Sequence, residues 1–259
     1  MKKVLLLMFS FVLTACGGGG GDESKAPSQH FAITQSDLSK YVGGEILTYN
    51  VSIKGSFDTD GSGRIDESGT LTEYYYDGWL FSELDEEALL KVTEVLTTDF
   101  NTTTNDYYFY NADEELRQFV TSNENFFTDP DNPQQGTLIL PQFLYLGLAW
   151  QNNPEAFYGG KKGLLFTGSR TSTIIKKETV VAPIGSVETY KISSSFMGEK
   201  QNSSLLNDNI EINETKWVHP EIGVIKSISN LREWNDAASS LSYTTTISQD
   251  LIEINWSID

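Results

Sequence analysis

The sequence predicts an all-β fold: a single curved antiparallel sheet, a half-barrel or open barrel meander, with a proline-rich middle connection and few short helices. Three observations carry that expectation. Apolar and polar residues alternate over successive short segments, turn-forming residues divide those segments, and the buried parity changes inside the last of them.

Over residues 44–55, Leu47, Tyr49, Val51 and Ile53 hold one parity while Thr48, Asn50 and Ser52 hold the other, the pattern of a strand buried on one face. Residues 69–81 are rich in β-formers and aromatics, including Tyr74, Tyr75, Tyr76 and Trp79. Residues 82–96 read two ways. Ser82 suits a helix cap, and Leu84, Ala88, Leu89, Val92 and Leu96 recur at helical spacing, whereas the β-branched Val92-Thr93-Glu94-Val95 favours a strand in the second half. Residues 107–110 and 116–120 flank the polar stretch 111–115, which predicts a hairpin turn.

Pro130, Pro133, Pro141 and Pro154 fall within residues 123–160, predicting a long connection of short helical or extended pieces and the best place for a flap over a groove. Strands are expected again over 163–168, 171–182, 186–196, 211–218, 223–231 and 241–258, with a long polar connection over 196–211. Their repeated short lengths favour a meander that curls on itself. In the last segment Leu241, Tyr243 and Ile247 are odd, but Ile252, Ile254, Trp256 and Ile258 are even. A β-bulge near Asp250-Leu251 restores the register and kinks the strand, as a strongly curved sheet requires.

The chain opens with Met1-Lys2-Lys3 and an apolar run over residues 4–13, the build of a secretory leader. That run is shorter than the roughly twenty residues a membrane-spanning helix needs. Leu13-Thr14-Ala15-Cys16 resembles a bacterial lipobox. The resemblance implies that residues 1–15 are removed and that Cys16 is lipidated, and Gly17 in place of aspartate implies sorting to the outer membrane of a Gram-negative bacterium. Two or three acyl chains give stable attachment where one is marginal. Residues 16–30, with glycine at 17–21, read as a lipidated flexible tether, and residues 31–259 as a single β domain.

Composition removes several function classes. Cys16 is the one cysteine, so neither an internal disulfide nor a thiolate zinc cluster is available. Lys+Arg number 18 against 36 Asp+Glu, a net charge of −18; removal of Lys2 and Lys3 takes this to −20. Such a surface is unsuited to nucleic acid, which is bound mainly through cationic contacts to phosphates. Anionic lipid headgroups repel it too, so the membrane partner is reached through the N-terminal lipid.

The segment Val180-Val181-Ala182-Pro183-Ile184-Gly185-Ser186-Val187-Glu188-Thr189-Tyr190-Lys191-Ile192 is followed by Thr215-Lys216-Trp217-Val218-His219-Pro220-Glu221-Ile222-Gly223-Val224-Ile225-Lys226-Ser227. This pair is similar to motifs of uncharacterised exported β proteins that resemble the lipoprotein-carrier and receptor half-barrel, or β-clam, superfamily. Residues 144–150, with Gly147 and Trp150, resemble the segment that often precedes the pair. The resemblance covers roughly residues 140–230 and implies an antiparallel sheet curled around a hydrophobic concavity. Tyr190 and Trp217 are expected in the core or lining a groove, and Pro183 and Gly185 in a turn.

The sharpest chemical pattern begins at Asp58. Asp58, Asp60, Ser62 and Asp66 supply side-chain oxygens at positions 1, 3, 5 and 9, Arg64 supplies a carbonyl at 7, and Gly61 stands at 6. That spacing resembles an EF-hand calcium loop, with Gly69 where the bidentate glutamate stands at position 12. The alternative is a solvated, acidic hairpin tip. No enzyme is expected: His30 lies in the tether, His219 reads as a surface or turn residue, and no Gly-x-Ser-x-Gly elbow carries a nucleophile. The expected function is a non-catalytic one, binding an apolar ligand or envelope protein in a concave sheet. A calcium-stabilised adhesion or glycan-binding module is the second reading, using Tyr74, Tyr75, Tyr76, Trp79, Tyr107, Tyr108 or Tyr110 as a platform, and a hydrolase is the third.

Overall fold

The computed structural model describes residues 30–31, 44–56, 63–81, 86–99, 101–110, 115–121, 124–127, 136–153, 155–158, 164–201, 207–235 and 240–256. They form fifteen strands in one sheet: β1 (His30–Phe31), β2 (Glu45–Ser56), β3 (Arg64–Phe81), β4 (Glu86–Thr97), β5 (Asn101–Tyr110), β6 (Leu116–Thr121), β7 (Glu124–Phe127), β8 (Thr137–Leu140), β9 (Ala149–Asn152), β10 (Glu155–Tyr158), β11 (Leu164–Ala182), β12 (Gly185–Gln201), β13 (Asn207–His219), β14 (Gly223–Asn235) and β15 (Ser240–Trp256). No helix occurs among the described residues, so the few short helices expected are not found there.

The body is a ten-strand antiparallel meander in the order β11-β12-β13-β14-β15-β2-β3-β4-β5-β6. Its outer members, β6 and β11, do not pair with each other. The four-residue strands β7 and β10 bridge them, β6 pairing with β7, β7 with β10 and β10 with β11. At about 4.8 Å per strand, ten flat strands hold their edges roughly 43 Å apart, whereas three ladder steps amount to about 14 Å. The sheet is therefore strongly curled around one concave face, although the ten long strands do not themselves close.

Register irregularities supply the bend, because an extra residue on one strand sharpens its local twist. They fall at Tyr76/Trp79 in β3, Ile174/Lys176 in β11, Trp217/Val218 in β13 and Leu251/Glu253 in β15, among others. In the last, Leu251 pairs with Tyr49 and Glu253 with Thr48, which leaves Ile252 as the inserted residue. The parity change near Asp250-Leu251 thus predicted a real bulge. Pro183 and Ile184 form the β11–β12 turn, and Gly185 follows with φ of 137°, a value that a side chain disfavours. Farther along that hairpin Gly168 lies opposite Gly198, and the Phe196 ring covers both; a Cβ on either glycine collides with the ring.

Burial follows the predicted alternation on β2, where Leu47, Tyr49 and Val51 are buried against Leu71, Tyr75, Leu89, Val187, Ile225 and Leu251. A second apolar cluster joins Leu116, Leu140 and Leu144 to Ile174, Tyr190, Ile192 and Val218. Through it, the segment around β8, which pairs with β6, packs against the β11–β13 wall. Residues 86–97 are strand throughout rather than helix, because their apolar side chains pair across β3 and β5. The segments 163–168 and 171–182 merge into one strand, and the expected connection over 196–211 shrinks to 202–206 as β12 and β13 extend.

Candidate functional site

The inner face carries charge in rows that are otherwise apolar. On β3 the inward row reads Leu71, Glu73, Tyr75; on β4 Lys91 follows Leu89; on β13 Glu214 and Lys216 stand between Ile212 and Val218. Alternation alone puts these side chains inside, so each needs a partner there.

Glu73 is held by three groups. Lys91 Nζ lies 3.2 Å from its Oε1, and the buried hydroxyls of Tyr75 and Tyr49 donate to its Oε2 at 2.7 and 3.2 Å. Burial pushes the carboxyl up, but the Lys91 charge and the hydrogen bonds from Tyr75, Lys91 and Tyr49 outweigh it and hold the group below its ordinary value. Across the concavity, Glu214 Oε2 lies 2.6 Å from Arg170 Nη2 and 3.1 Å from Lys216 Nζ. Here too burial pushes the carboxyl up, and the two cations with their hydrogen bonds bring it below the ordinary value. Neighbouring polar groups pair with one another: the Ser172 and Ser194 hydroxyls approach to 2.8 Å, and Ser227 donates to the Gln249 amide oxygen Oε1 at 2.9 Å.

Between the two ion-pair groups lies a cavity of ≈ 290 Å³. Glu73, Lys91, Glu214 and Lys216 border it, with Leu116, Ile139, Val224 and Ile247 as its apolar wall. A smaller space of ≈ 50 Å³ shares Ile139, Glu214, Lys216 and Val224 and reaches Arg170. Small-molecule pockets are concave, largely apolar and carry a few placed polar groups, usually in ~300–1,000 Å³. The larger cavity is just under that range and more polar than the class, since Ser227, Ser229 and Gln249 border it beside the four charged groups.

The predicted site residues are distributed differently. Cys16, Asp58, Asp60 and Ser62 lie outside the described residues. Arg64 opens β3 opposite Ser56, and Asp66 is exposed on the same strand with Lys54 Nζ at 3.7 Å. Glu67, two residues before Gly69, accepts a hydrogen bond from Thr97 on β4. Among the described residues, no three histidines, cysteines or carboxylates gather as a metal-binding group. Tyr190 is in the core as expected, but Trp217 lies on the outer surface, where its Nε1 donates to Glu178 Oε1 at 2.8 Å beneath Lys191 and Lys226. His219 is neither on the surface nor in the turn: it is the last residue of β13, paired with Gly223 and buried, and its Nδ1 accepts the Glu221 amide at 3.2 Å. Of the aromatic platform, Tyr75 points inward, Tyr74 donates to Glu94 at 3.3 Å, and Tyr76 is exposed; the side chains of Trp79, Tyr107, Tyr108 and Tyr110 lie outside the described set.

The inward charges were the residues that sequence reading missed. Their signal is present: Ile210-x-Ile212-x-Glu214-x-Lys216-x-Val218 and Leu71-x-Glu73-x-Tyr75 are single-parity rows in which a charge interrupts apolar residues.

Two solved structures resemble this chain over most of its length. One is a candidate exported protein with a YmcC-like fold from Bacteroides fragilis NCTC 9343, 12% identical with a TM-score of 0.40, covering 85% of this chain and 100% of that one. The other is a candidate lipoprotein from Parabacteroides distasonis ATCC 8503, 9% identical with a TM-score of 0.33, covering 86% and 100%. No family model and no curated protein matches the sequence.

Proposed function

We propose that this chain is a lipid-anchored outer-membrane protein that binds a small ligand, without catalysis, in the concavity of its curled sheet. The observation that carries the reading is the interior cavity of ≈ 290 Å³, bounded by two apolar clusters and two ion-pair groups. The leader and lipobox-like Leu13-Thr14-Ala15-Cys16 support the address, and the half-barrel motifs over 180–192 and 215–227 support the concave binding surface. The expectation of an apolar ligand is sharpened by the lining. A pure hydrocarbon against Glu73, Lys91, Glu214 and Lys216 displaces water from charges and replaces none of its hydrogen bonds. The ligand therefore carries a polar group as well as an apolar body.

Native mass spectrometry of the protein taken from its own membrane tests this. A copurifying small molecule that is lost on Leu116→Trp and Val224→Trp, which fill the cavity, is the expected result. A protein with no bound mass, or a mass that both substitutions leave in place, sinks the proposal. Labelled palmitate tests the anchor separately: incorporation into wild type and none into Cys16→Ser is expected.

The second reading, a calcium-stabilised module, is supported by the oxygen spacing of Asp58, Asp60, Ser62, Arg64 and Asp66 in the sequence. A rise in thermal midpoint with millimolar calcium, absent in Asp58→Ala/Asp60→Ala, is its expected mark; an unchanged midpoint removes it.

A further inference from the structure

Charge does not balance where the two cavities meet. Glu214 Oε2 serves both Arg170 at 2.6 Å and Lys216 at 3.1 Å, and among the described residues no second carboxylate reaches either cation. Both cations border the interior, Lys216 on both cavities and Arg170 on the smaller. None of the three side chains is more than one-third exposed: Arg170 is 27%, Glu214 15% and Lys216 33%. A surplus positive charge largely withdrawn from water is costly until an anion meets it. The mutually bonded Ser172–Ser194 pair leaves one hydroxyl donor on the same wall, while Ile139 and Val224 make it apolar on the cavity side.

We infer that the cavity takes its ligand through an anionic group, a carboxylate, phosphate or sulfate, seated against Arg170 and Lys216, with the uncharged body along Ile139, Val224, Leu116 and Ile247. This rests on reading the concavity as a ligand site and adds the chemical class. The arrangement separates selection from attraction. The full chain's net charge of −18 repels anions at a distance, so affinity arises only inside, where a matched anion gains two charge-assisted hydrogen-bond partners.

Titration calorimetry on the purified full chain tests the inference with hexanoate, hexanol and hexylammonium, three probes of one body and different heads, and with inorganic phosphate. Hexanoate is expected to bind about tenfold or more tightly than hexanol or hexylammonium, the ratio that one charge-assisted hydrogen bond supplies. Lys216→Gln leaves one cation on one carboxylate and abolishes the preference; Glu214→Gln leaves two cations unopposed and strengthens hexanoate. Where Glu214→Gln does not fold, the balanced Lys216→Gln variant carries the test alone. Phosphate binding as tightly as hexanoate supports the anion seat and assigns it to a free anion, whereas weaker phosphate supports it and assigns it to an amphiphile. Equal binding of hexanol and hexanoate overturns the anion seat and leaves the cavity a ligand site. No binding by any probe overturns both.

Discussion

Two clusters built by the same recipe sit on opposite faces of the sheet. Inside, Glu214 on β13 joins Arg170 on β11 and Lys216 on its own strand. Outside, Glu178 on β11 joins Lys176 at 2.6 Å, Lys191 at 3.8 Å and the indole nitrogen of Trp217 at 2.8 Å. Both carboxyls are held below their ordinary value. For Glu214 burial opposes that shift and the two cations overcome it; for Glu178 the hydrogen bonds from Lys176 and Trp217 come first and burial opposes only weakly. The difference teaches that similar pairings, a carboxylate between two cations, acquire different jobs from their surroundings. On the outer face water and salt can replace any partner, so the cluster is decoration on a cross-strand row. On the inner face the carboxylate is 15% exposed and its burial is the largest influence on it, so losing a partner there is costlier and the same chemistry becomes selective.

Substitutions that change only the face should show the widest gap. Ile225→Ala and Leu251→Ala each empty a position with 0% exposure, and a loss of about 2–5 kcal/mol by denaturant unfolding is expected. Val181→Ala, at 71% exposure, should move stability by no more than about 0.5 kcal/mol. Next, Glu214→Gln leaves two cations against the interior and should cost about 3 kcal/mol. Glu178→Gln should cost at most about 1 kcal/mol. Equal losses at the two glutamates would erase the contrast between the faces.

Acid unfolding sharpens it further. Glu73 and Glu214 have lowered folded values, so their contribution is complete above the ordinary value of 4.5 and disappears as the pH falls through the lowered ones. Glu73→Gln or Glu214→Gln should therefore flatten the acid limb of the stability curve, and Glu178→Gln should flatten it less. A limb unchanged by either inner substitution contradicts the assignment. The smallest effect is in salt: near 1 M, where screening acts over about 3 Å, the cost of Glu178→Gln should vanish while that of Glu214→Gln persists.

Legibility followed the same division. Strand β2 was plain because every inward residue from Leu47 to Val51 is apolar, and the β15 bulge was plain because its inward residues change parity on either side of Ile252. Strand β4 was ambiguous, since Leu89, Val92 and Leu96 satisfy a helical period; pairing with β3 and β5 decided it. Trp217 was misplaced for a definite reason. A large aromatic beside Glu214 and Lys216 suggests that odd positions of β13 face the core, yet Ile210, Ile212 and Val218 set the inward parity as even. The charged residues were the inward ones, and no rule of local preference says so.

The sequence by itself determined most of the long strands, the turns at Pro183-Ile184-Gly185 and around Gly223, and the bulge that bends the last strand, because each depends on neighbours a few residues apart. It also determined the acidic balance and the single cysteine at position 16. Only the tertiary structure decided which charges share an interior. Arg170 and Glu214 are 44 residues apart and Glu73 and Lys91 are 18 apart, so their meeting depends on how far the sheet curls and in what register its strands align. Local alternation fixes the side of the sheet on which a residue stands; long-range pairing fixes what stands across from it, and the chemistry of the cavity lies in that second step.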